Sequence, residues 1–327
     1  MKGGIRGPRQ RKRHWAELEE RGSLLGMRIL AAIYSAFGLR LCRMLLVPIA
    51  AYFFLTSTHA RRASHEFLSA VQPFTDPAAA RDTRPTRRNV FRHFLRFAAA
   101  NLDTLVAWRD PARITVRFPQ RDQFIAAAAR RQGLLLISAH LGNVEVSRAL
   151  VALMPKLRIN ALVYTQHAQK SNTLFDELSN YYGLRLIHVQ TIGPDTAIML
   201  REKIADGEVA VIVGDRIPVS AASPVVQADF LGRPAPFAAG PYILAHVLQC
   251  PVRLFFCMAE DREYTAYLEP FAERIQLPRR GREAALQELA QRYAARLGDY
   301  AARFPLQWYN FYDFWADSRM PPQDGEG

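Results

Sequence analysis

The stretch GLLLISAHLGNVE, residues 133–145, indicates how this chain folds. Its apolar run Leu134–Ile137 follows a glycine and is typical of a buried β-strand. His140 comes shortly after that run, and a carboxylate, Glu145, follows five positions later. Active sites of α/β proteins gather just beyond the carboxyl ends of their strands. The sequence therefore predicts a site at the end of this strand.

Apolar runs of the same kind alternate with helical patterns along the rest of the chain. Strands are predicted near 134–138, 158–164, 184–189, 208–213, 252–258 and 264–269. Helices are predicted near 87–108, 143–153, 171–181, 194–206, 238–248 and 282–303. Strand–helix alternation is typical of an α/β fold, so we expect a largely parallel central sheet flanked by helices.

The N-terminal part of the chain has a different character. Residues 1–23 are basic and are expected to be partly disordered, and residues 24–72 hold apolar stretches broken by Arg28 and Arg43. The longest clean stretch, MLLVPIAAYFFL at 44–55, is shorter than the roughly 20 residues that a spanning helix needs. We expect 24–72 to be a helical region that lies in or dips into the membrane. A single span and a buried soluble helix are the alternatives.

Domain boundaries follow from composition. The Pro-rich segment 73–85 separates the N-terminal region from a main domain at 86–316, and the tail 317–327 is expected to be loose. The formal net charge of +13 favours an acidic partner, such as an anionic membrane surface or an acidic protein. The basic face of the helix predicted at 87–108 suits contact with anionic lipid. An ordinary surface helix that faces solvent is the alternative. No nucleic-acid recognition motif is found, so nucleic acid is not expected as a partner.

Cysteines and histidines give no sign of a metal or a cofactor. The three cysteines Cys42, Cys250 and Cys257 show no CxxC spacing, and buried thiols in a reducing, cytosol-facing location are expected. The histidines lack paired-ligand spacing, so no metal site is predicted.

The pair His140 and Glu145 is the first candidate for chemistry. If Asn143 caps a helix after the strand, Glu145 falls in its first turn, beside the imidazole. A carboxylate that holds one imidazole nitrogen leaves the other free to act as a base. The alternative is a capping turn whose two side chains merely satisfy each other. Ser138 lies in no GxSxG elbow, so a serine nucleophile is not predicted.

Further candidates follow later strands. Asp215 and Arg216 end the apolar run at 208–213 and are expected at the same sheet edge as His140, where an arginine can bind phosphate. A local ion pair is the alternative. Gly232 and Arg233 lie in DFLGRPAPFAAGP, residues 229–241, which is interpreted as an anion-binding turn before a helix or simply a tight connection.

The aromatic segment Phe304–Trp315, FPLQWYNFYDFW, has three interpretations. It suits the lining of a long apolar pocket, a membrane interface or a plain core segment.

HLGNVE, GDR, FLGRPAPFAAG and PLQWYNFYDFW, in this order, resemble the lysophospholipid acyltransferase superfamily. The nearer likeness is to its lipid A late acyltransferase branch, and especially to bacterial relatives encoded near aryl polyene pigment clusters, which often begin with a stretch like HWAELEERGS at 14–23. The resemblance implies a membrane-associated enzyme at the cytoplasmic face of the bacterial inner membrane. Such an enzyme moves an acyl chain from an acyl carrier protein or acyl-CoA thioester to a lipid or glycolipid acceptor.

The resemblance also assigns roles to residues. It makes His140 the base and Glu145 its support, and it places Asp215 and the turn at 230–240 in family motifs. Asn143, Asp215, Gly232 and Arg233 are therefore candidates for binding the substrate. The branch tends to have Tyr-Arg where this chain reads VYTQ at 163–166, which leaves Arg216 and Lys170 as candidate phosphate binders. The acceptor stays open among a lipid A precursor, another glycolipid, an aminolipid and a polyene precursor.

Two other classes of function compete with this interpretation. A non-catalytic module that binds lipid or acyl carrier protein would keep the pocket and lose the base. A hydrolase of similar fold would let water replace the acceptor.

Overall fold

The computed structural model describes the chain in eight stretches. They are residues 23–77, 80–130, 132–147, 157–164, 184–189, 193–217, 224–261 and 263–316. Several predictions from the sequence lie outside these residues: the disordered N-terminus, the helix at 171–181, Lys170 and the loose tail.

Eight α-helices are assigned in the described residues. They are α1 (Ser23–Thr56), α2 (Thr58–Val71), α3 (Ala80–Thr83), α4 (Arg87–Arg109), α5 (Arg121–Ala129), α6 (Pro194–Ala205), α7 (Gly240–Leu248) and α8 (Arg282–Arg303). Helix α4 begins where the side chain of Thr86 accepts a hydrogen bond from the backbone N–H of Asn89, an N-cap that satisfies one otherwise unpaired donor.

Nine strands form two sheets in the same part of the chain. They are β1 (Val116–Arg117), β2 (Leu134–Ser138), β3 (Ile159–Tyr164), β4 (Leu184–Val189), β5 (Val209–Val213), β6 (Val225–Phe230), β7 (Arg233–Ala238), β8 (Val252–Glu260) and β9 (Glu263–Ala272). The main sheet has seven strands in the order β1-β9-β8-β2-β5-β3-β4, and β6 and β7 pair separately. Strands β8, β2, β5, β3 and β4 run parallel, whereas β9 runs antiparallel to β8. The predicted α/β class with a largely parallel sheet is confirmed.

The stretch 133–145 contributes β2, the central strand of this sheet. Every residue of β2 is buried, between β8 on one side and β5 on the other. Successive side chains of a strand point to opposite faces. Leu135 and Ile137 accordingly join one core cluster, while Leu134 and Leu136 join another. The apolar run thus reflects a strand that is covered by packed side chains on both faces, as is usual in parallel sheets.

The hairpin of β6 and β7 corrects the interpretation of residues 229–241 as one turn leading into a helix. Leu231 and Gly232 form its two-residue turn with φ of 56° and 71°. Two consecutive positive φ values define a type I′ turn, the kind that suits the twist of a hairpin. The prolines of β7 argued against a strand in the sequence, but they are tolerated in a two-stranded hairpin, where every strand is an edge. The short elements β1 and α5 were also not predicted.

Helix α1 packs along one side only. Leu30, Cys42 and Leu46 contact a cluster on α4 that includes Leu102 and Val106. The backbone of α1 leaves helical geometry at Gly38, with φ of 76°. Among the described residues, one stretch, Leu30–Thr56, is long and apolar enough to cross a membrane, judged by length and composition alone.

Much of the surface of α1 is exposed and apolar. Its large exposed side chains are Phe37, Met44, Val47, Ile49, Tyr52, Phe53 and Leu55. Helix α2, in contrast, buries Phe67, Leu68 and Val71 in the same core cluster as the sheet. The predicted domain boundaries at 24–72 and 86–316 stay predictions.

Candidate active site

His140 lies two residues beyond β2, at the carboxyl edge of the parallel sheet. Its neighbour along the strand, Ser138, donates its hydroxyl to the carbonyl of Phe255 at 2.7 Å. Ser138 is fully buried, and this hydrogen bond engages its hydroxyl proton. The described geometry therefore presents a histidine without a serine beside it.

Asp215 is the partner of His140 in the structure. Strand β5 lies beside β2 in register, with Ser138 opposite Val213, so the residues two positions further on come level. The carboxylate of Asp215 accepts from Nδ1 of His140 at 2.9 Å and from its backbone N–H at 3.0 Å. This contact fixes both the position of the backbone and the direction of the ring.

Two side chains of the C-terminal aromatic segment complete the environment of Asp215. The indole Nε1–H of Trp308 donates to Oδ2 at 3.0 Å, and the amide of Asn310 donates to the same oxygen at 2.9 Å. Burial alone would raise the pKa of Asp215, but the charges of His140 and Arg216 and the hydrogen bonds from His140 lower it overall. Asp215 is therefore held as a buried, hydrogen-bonded carboxylate.

The contact also determines which nitrogen of His140 is available. Because a carboxylate only accepts, Nδ1 carries the hydrogen and Nε2 keeps its lone pair when the ring is neutral. The side chain of His140 is 34% exposed, and the described residues provide no hydrogen bond to Nε2. A base at this position can take a proton from a molecule that arrives from outside.

Glu145 lies on a 3-10 turn, Val144–Ser147, rather than in the first turn of an α-helix that starts at 143. The imidazole hydrogen that was expected to bind Glu145 is donated to Asp215 instead. The role of Glu145 itself stays a prediction. Asp215 was predicted at this edge but as a substrate-binding residue, because the sequence does not reveal that β2 and β5 are neighbours.

The LGN turn after His140 is fastened by its backbone. Gly142 has φ of 70°, and a Cβ at this position would lie 2.2 Å from the carbonyl oxygen of Cys257. The N–H of Gly142 donates to Gln307 at 2.8 Å, and the N–H of Asn143 donates to Cys257 at 2.7 Å. A glycine is required here because the conformation is left-handed and the space beside it is filled by backbone.

Asn143 was predicted to bind substrate, and the structure gives its side chain a different setting. The amide donates to the carbonyl of Ala100 at 2.7 Å and to the hydroxyl of Thr104 at 3.0 Å, both on α4. Asn143 is buried, and its hydrogen bonds tie the turn that carries His140 to that helix.

The other predicted binding residues lie in two places. Arg216 is next to Asp215, and its guanidinium donates to the side chain of Asn310 at 2.8 Å and to the carbonyl of Tyr309 at 3.2 Å. Gly232 and Arg233 lie at the β6–β7 hairpin, where Arg233 pairs with Glu66 at 2.8 Å. The structure thus brings Arg216 to His140, whereas Arg233 contacts α2. Lys170 lies outside the described residues.

The aromatic segment 304–315 combines core packing with the site. Trp308, Phe314 and Trp315 are buried against Phe230 of the hairpin, as the plain core interpretation predicted. The indole N–H of Trp308 and the amide of Asn310 also donate to Asp215, a contact that was not predicted from the sequence. The only local signal was the presence of hydrogen-bonding side chains inside an aromatic run.

His93 supports this arrangement from α4. Its Nε2 lies 3.0 Å from the carbonyl oxygen of Trp308, and its Nδ1 lies 2.9 Å from the hydroxyl of Ser64. Since a carbonyl only accepts, Nε2 carries the hydrogen and Nδ1 accepts from Ser64. Burial lowers the pKa of His93 to about 4, so the ring is neutral at physiological pH.

Acidic, histidine and cysteine side chains do not cluster elsewhere. Within the part of the chain that the structure describes, no group of three or more is arranged to hold a metal ion. The three cysteines are buried free thiols, as predicted.

Fold and site together define an α/β protein with a histidine–aspartate pair at the carboxyl edge of a parallel sheet, beside a helix with an exposed apolar face. The sequence model of the family described as bacterial lipid A biosynthesis acyltransferase matches residues 9–316. The chain belongs to this family, and the predicted family resemblance is confirmed. No curated protein matches the chain in a sequence comparison. The likeness to relatives near aryl polyene clusters stays a prediction.

Membership in this family shows that the class of activity is acyl transfer. The family consists of acyltransferases that are membrane-associated in bacteria, so the chain is an acyltransferase-like enzyme of lipid biosynthesis. An acyl donor and a lipid acceptor follow from this class.

Proposed function

We propose that this protein transfers an acyl chain from a thioester donor to a hydroxyl group of a lipid or glycolipid, with His140 as the general base. The observation that carries the proposal is the hydrogen bond between Nδ1 of His140 and the buried carboxylate of Asp215. It leaves Nε2 as the nitrogen that can accept a proton. The family match supports acyl transfer as the reaction.

In the proposed reaction, Nε2 of His140 takes the proton of the acceptor hydroxyl while its oxygen attacks the thioester carbonyl. A carbon–oxygen bond forms, the carbon–sulfur bond breaks, and the departing thiolate takes the proton back from the imidazolium. Asp215 stabilises the imidazolium because its negative charge is 2.9 Å away. A general base of this kind contributes typically about 10²- to 10⁴-fold in rate.

Glu145 is retained as a second acidic group that supports the base, as the family resemblance implies. Its 3-10 turn directly follows the LGN turn that positions His140, so both side chains belong to one short segment. For recognition of a phosphate on a substrate we propose Arg216, which is adjacent to Asp215. Lys170 is a second candidate.

We further propose that the donor is an acyl carrier protein, with acyl-CoA as the alternative. The protein has a net charge of +13, and acyl carrier proteins are acidic, so the two would attract each other over a long range. The site would face the cytoplasmic side of the bacterial inner membrane, where thioester donors are made. Raising the salt concentration from 50 to 500 mM should lower kcat/KM for the carrier-protein donor by about tenfold or more, and equal values would contradict steering by charge.

The test uses membranes that contain the wild type or His140→Ala. Labelled acyl–carrier protein and a total bacterial lipid extract are added, and the label is followed into lipid by mass spectrometry. We expect one new acylated lipid with the wild type and a rate at least about 10²-fold lower with the variant. The matched control is His65→Ala, an exposed histidine on α2, which should retain full activity.

Three outcomes would contradict the proposal. Full activity of His140→Ala would remove the base from the mechanism. Release of free fatty acid without any acylated lipid would indicate a hydrolase. Equal donor binding by both proteins, with neither of these products, would indicate a non-catalytic module.

A further inference from the structure

A cleft of about 490 Å³ opens between the N-terminal helix and the main sheet. Its walls come from α1, from α4 and from the hairpin that joins β8 to β9. The lining residues are Arg43, Arg96, Asp103, Ala259, Asp261, Glu263 and Tyr264. Most of them carry a charge, which is unusual for a cavity next to a long apolar helix.

The two arginines of the cleft are available to a ligand. Across the described residues, neither guanidinium makes a hydrogen bond or an ion pair within 4.0 Å. Arg43 is exposed on α1. It lies between Cys42, which packs against α4, and Met44, which is an exposed apolar residue. Guanidinium groups bind phosphate through paired, charge-assisted hydrogen bonds. A phosphate ester is therefore the chemical group that these residues fit.

The hairpin side of the cleft carries the opposite charge. Asp261 and Glu263 flank the β8–β9 turn, and both are exposed. They too form no ion pair or hydrogen bond through their side chains with the rest of the described chain. Asp103 differs, because it accepts the phenolic hydrogen of Tyr264 at 2.7 Å. Burial raises the pKa of Asp103, which the neighbouring Tyr264, Arg43 and Arg96 offset only in part.

The cleft thus carries its two arginines on the helices, where Asp103 attracts both of them, and the two exposed carboxylates of Asp261 and Glu263 on the hairpin. A ligand that bridges the walls must present a negative group to the arginines and a positive group to the carboxylates. A phosphate ester that carries an ammonium group meets both requirements.

The position of the cleft points to a lipid as the source of that group. Met44 and Val47, next to Arg43 on α1, are large exposed apolar side chains. A charged residue in a membrane-facing helix usually serves a polar ligand or a headgroup. Tyr309 links the cleft to the active site, since its backbone N–H donates to the carbonyl of His140 at 2.8 Å and its hydroxyl donates to the carbonyl of Arg96 at 3.4 Å.

We propose that this cleft binds the headgroup of a zwitterionic phospholipid, with the phosphate on Arg43 and Arg96 and the ammonium group on Asp261 and Glu263. The site goes beyond the proposed acyl transfer and does not depend on it. It would seat a lipid at the junction of the membrane-facing helix and the catalytic edge of the sheet.

Binding is measured on the full chain in detergent, in a His140→Ala background so that transfer plays no part. Three short-chain probes are compared below their micelle concentrations: dihexanoyl phosphatidylethanolamine, dihexanoyl phosphatidic acid and dihexanoylglycerol. We expect the ethanolamine lipid to bind most tightly, phosphatidic acid more weakly and dihexanoylglycerol not measurably. Equal binding of all three probes would overturn the proposal, and so would tightest binding of phosphatidic acid.

Two double variants separate the roles of the walls. Arg43→Gln with Arg96→Gln should weaken both phosphate lipids by about tenfold or more. Asp261→Asn with Glu263→Gln should weaken the ethanolamine lipid by about threefold and leave phosphatidic acid equal or tighter. Arg40→Gln and Glu283→Gln are the controls for one lost charge on α1 and on α8, and neither should change binding.

The arginine variant tests phosphate binding, and the carboxylate variant tests recognition of the ammonium group. If the arginine pair has no effect, or Arg40→Gln alone has the same effect, phosphate binding in the cleft is wrong. If the carboxylate pair lowers the affinity for both lipids equally, recognition of the ammonium group is wrong. Should the arginine variant fail to fold, the ranking of the three probes by the protein with both arginines intact still decides the proposal. If the otherwise unchanged protein with His140 transfers no acyl chain but the headgroup still binds in the cleft, only the acyl-transfer proposal is wrong.

Discussion

Asp215 is a fully buried carboxylate that receives hydrogen bonds from one backbone N–H and three side chains. Asp215→Asn keeps the shape but replaces the anion by an amide that can no longer hold Nδ1–H in the same way. We expect kcat to fall by about 10²- to 10⁴-fold, because the imidazolium loses its counter-charge and the ring loses its tautomer. Steady-state kinetics with the donor at saturation measures this.

The control for Asp215 is Asp195→Asn, an exposed aspartate in the first turn of α6. It should leave kcat unchanged. A fall of less than threefold for Asp215→Asn would show that the hydrogen bond to His140 has no part in the reaction.

Gly142 provides a second prediction at the residue scale. Gly142→Ala adds a Cβ that would lie only 2.2 Å from the carbonyl oxygen of Cys257, which is a clash. The left-handed backbone conformation costs an alanine roughly 1–2 kcal/mol in addition. We expect a loss of about 2 kcal/mol or more in the free energy of unfolding, together with reduced activity, since the turn carries His140. Chemical denaturation and the transfer assay measure the two effects.

Gly193→Ala is the matched comparison, because a Cβ at this position meets no atom within 4 Å. Because Gly193 is the N-cap of α6, where alanine is less favourable than glycine, we expect a loss of about 1 kcal/mol or less in the free energy of unfolding. Equal stability of both alanine variants would contradict the close approach at Gly142.

At the scale of elements, the local sequence pattern predicted the positions of most strands. It did not predict which strands are neighbours in the sheet. Strands β2 and β5 end at their predicted positions because buried parallel strands are short, continuous apolar runs. The pairing of Asp215 with His140 depends on β5 lying beside β2, which no local pattern encodes. Trp308 reaches the site from far along the chain for the same reason.

In the β6–β7 hairpin, the sequence contains both a strand pattern and a turn pattern, and only the turn pattern was recognised. Val226, Ala228 and Phe230 alternate with exposed residues, as expected for a half-buried strand. The prolines and glycine that follow are the usual marks of a turn, and they dominated the interpretation. The helix after the hairpin was nevertheless predicted to begin within two residues of Gly240.

His93 connects three elements: α2 through Ser64, its own helix α4, and the segment after α8 through Trp308. Its pKa in the folded protein, about 4, lies below the ordinary value of about 6.5. Between these values the unfolded chain binds a proton that the folded chain does not, so stability falls as pH falls through this window. The loss from pH 7 to pH 4 amounts to about 3 kcal/mol from this residue.

His93→Gln tests this contribution, because glutamine retains one donor and one acceptor but does not titrate. We expect the free energy of unfolding of the wild type to drop by about 3 kcal/mol more than that of His93→Gln between pH 7 and pH 4. Urea unfolding at both pH values gives the comparison. Parallel pH profiles for the two proteins would show that His93 is not buried as a neutral ring.

At the scale of the whole molecule, a strongly basic protein has an exposed apolar face on helix α1. Met44, Tyr52 and Leu55 are 72%, 64% and 72% exposed and fall on the same side of α1. Replacing all three by serine should lower binding to vesicles by about tenfold or more, since each buried apolar side chain contributes roughly 1.5–3 kcal/mol. Vesicle co-sedimentation measures the binding, and the melting temperature should change little.

Ile198→Ser is the control for an exposed apolar residue elsewhere, because Ile198 lies on α6 and is 60% exposed. It should not affect vesicle binding. If the triple variant binds as the wild type does, attachment through this face of α1 is wrong.

The donors that Trp308 and Asn310 give to Asp215 have a consequence for biosynthesis. Both residues follow all nine strands in the chain, so a ribosome completes the sheet before it makes the groups that surround the carboxylate. A growing chain can pair β2 with β5 early, but the buried carboxylate of Asp215 then lacks two of the groups that donate to it. The hydrogen-bond network around Asp215 is therefore completed only when the aromatic segment docks onto the finished sheet.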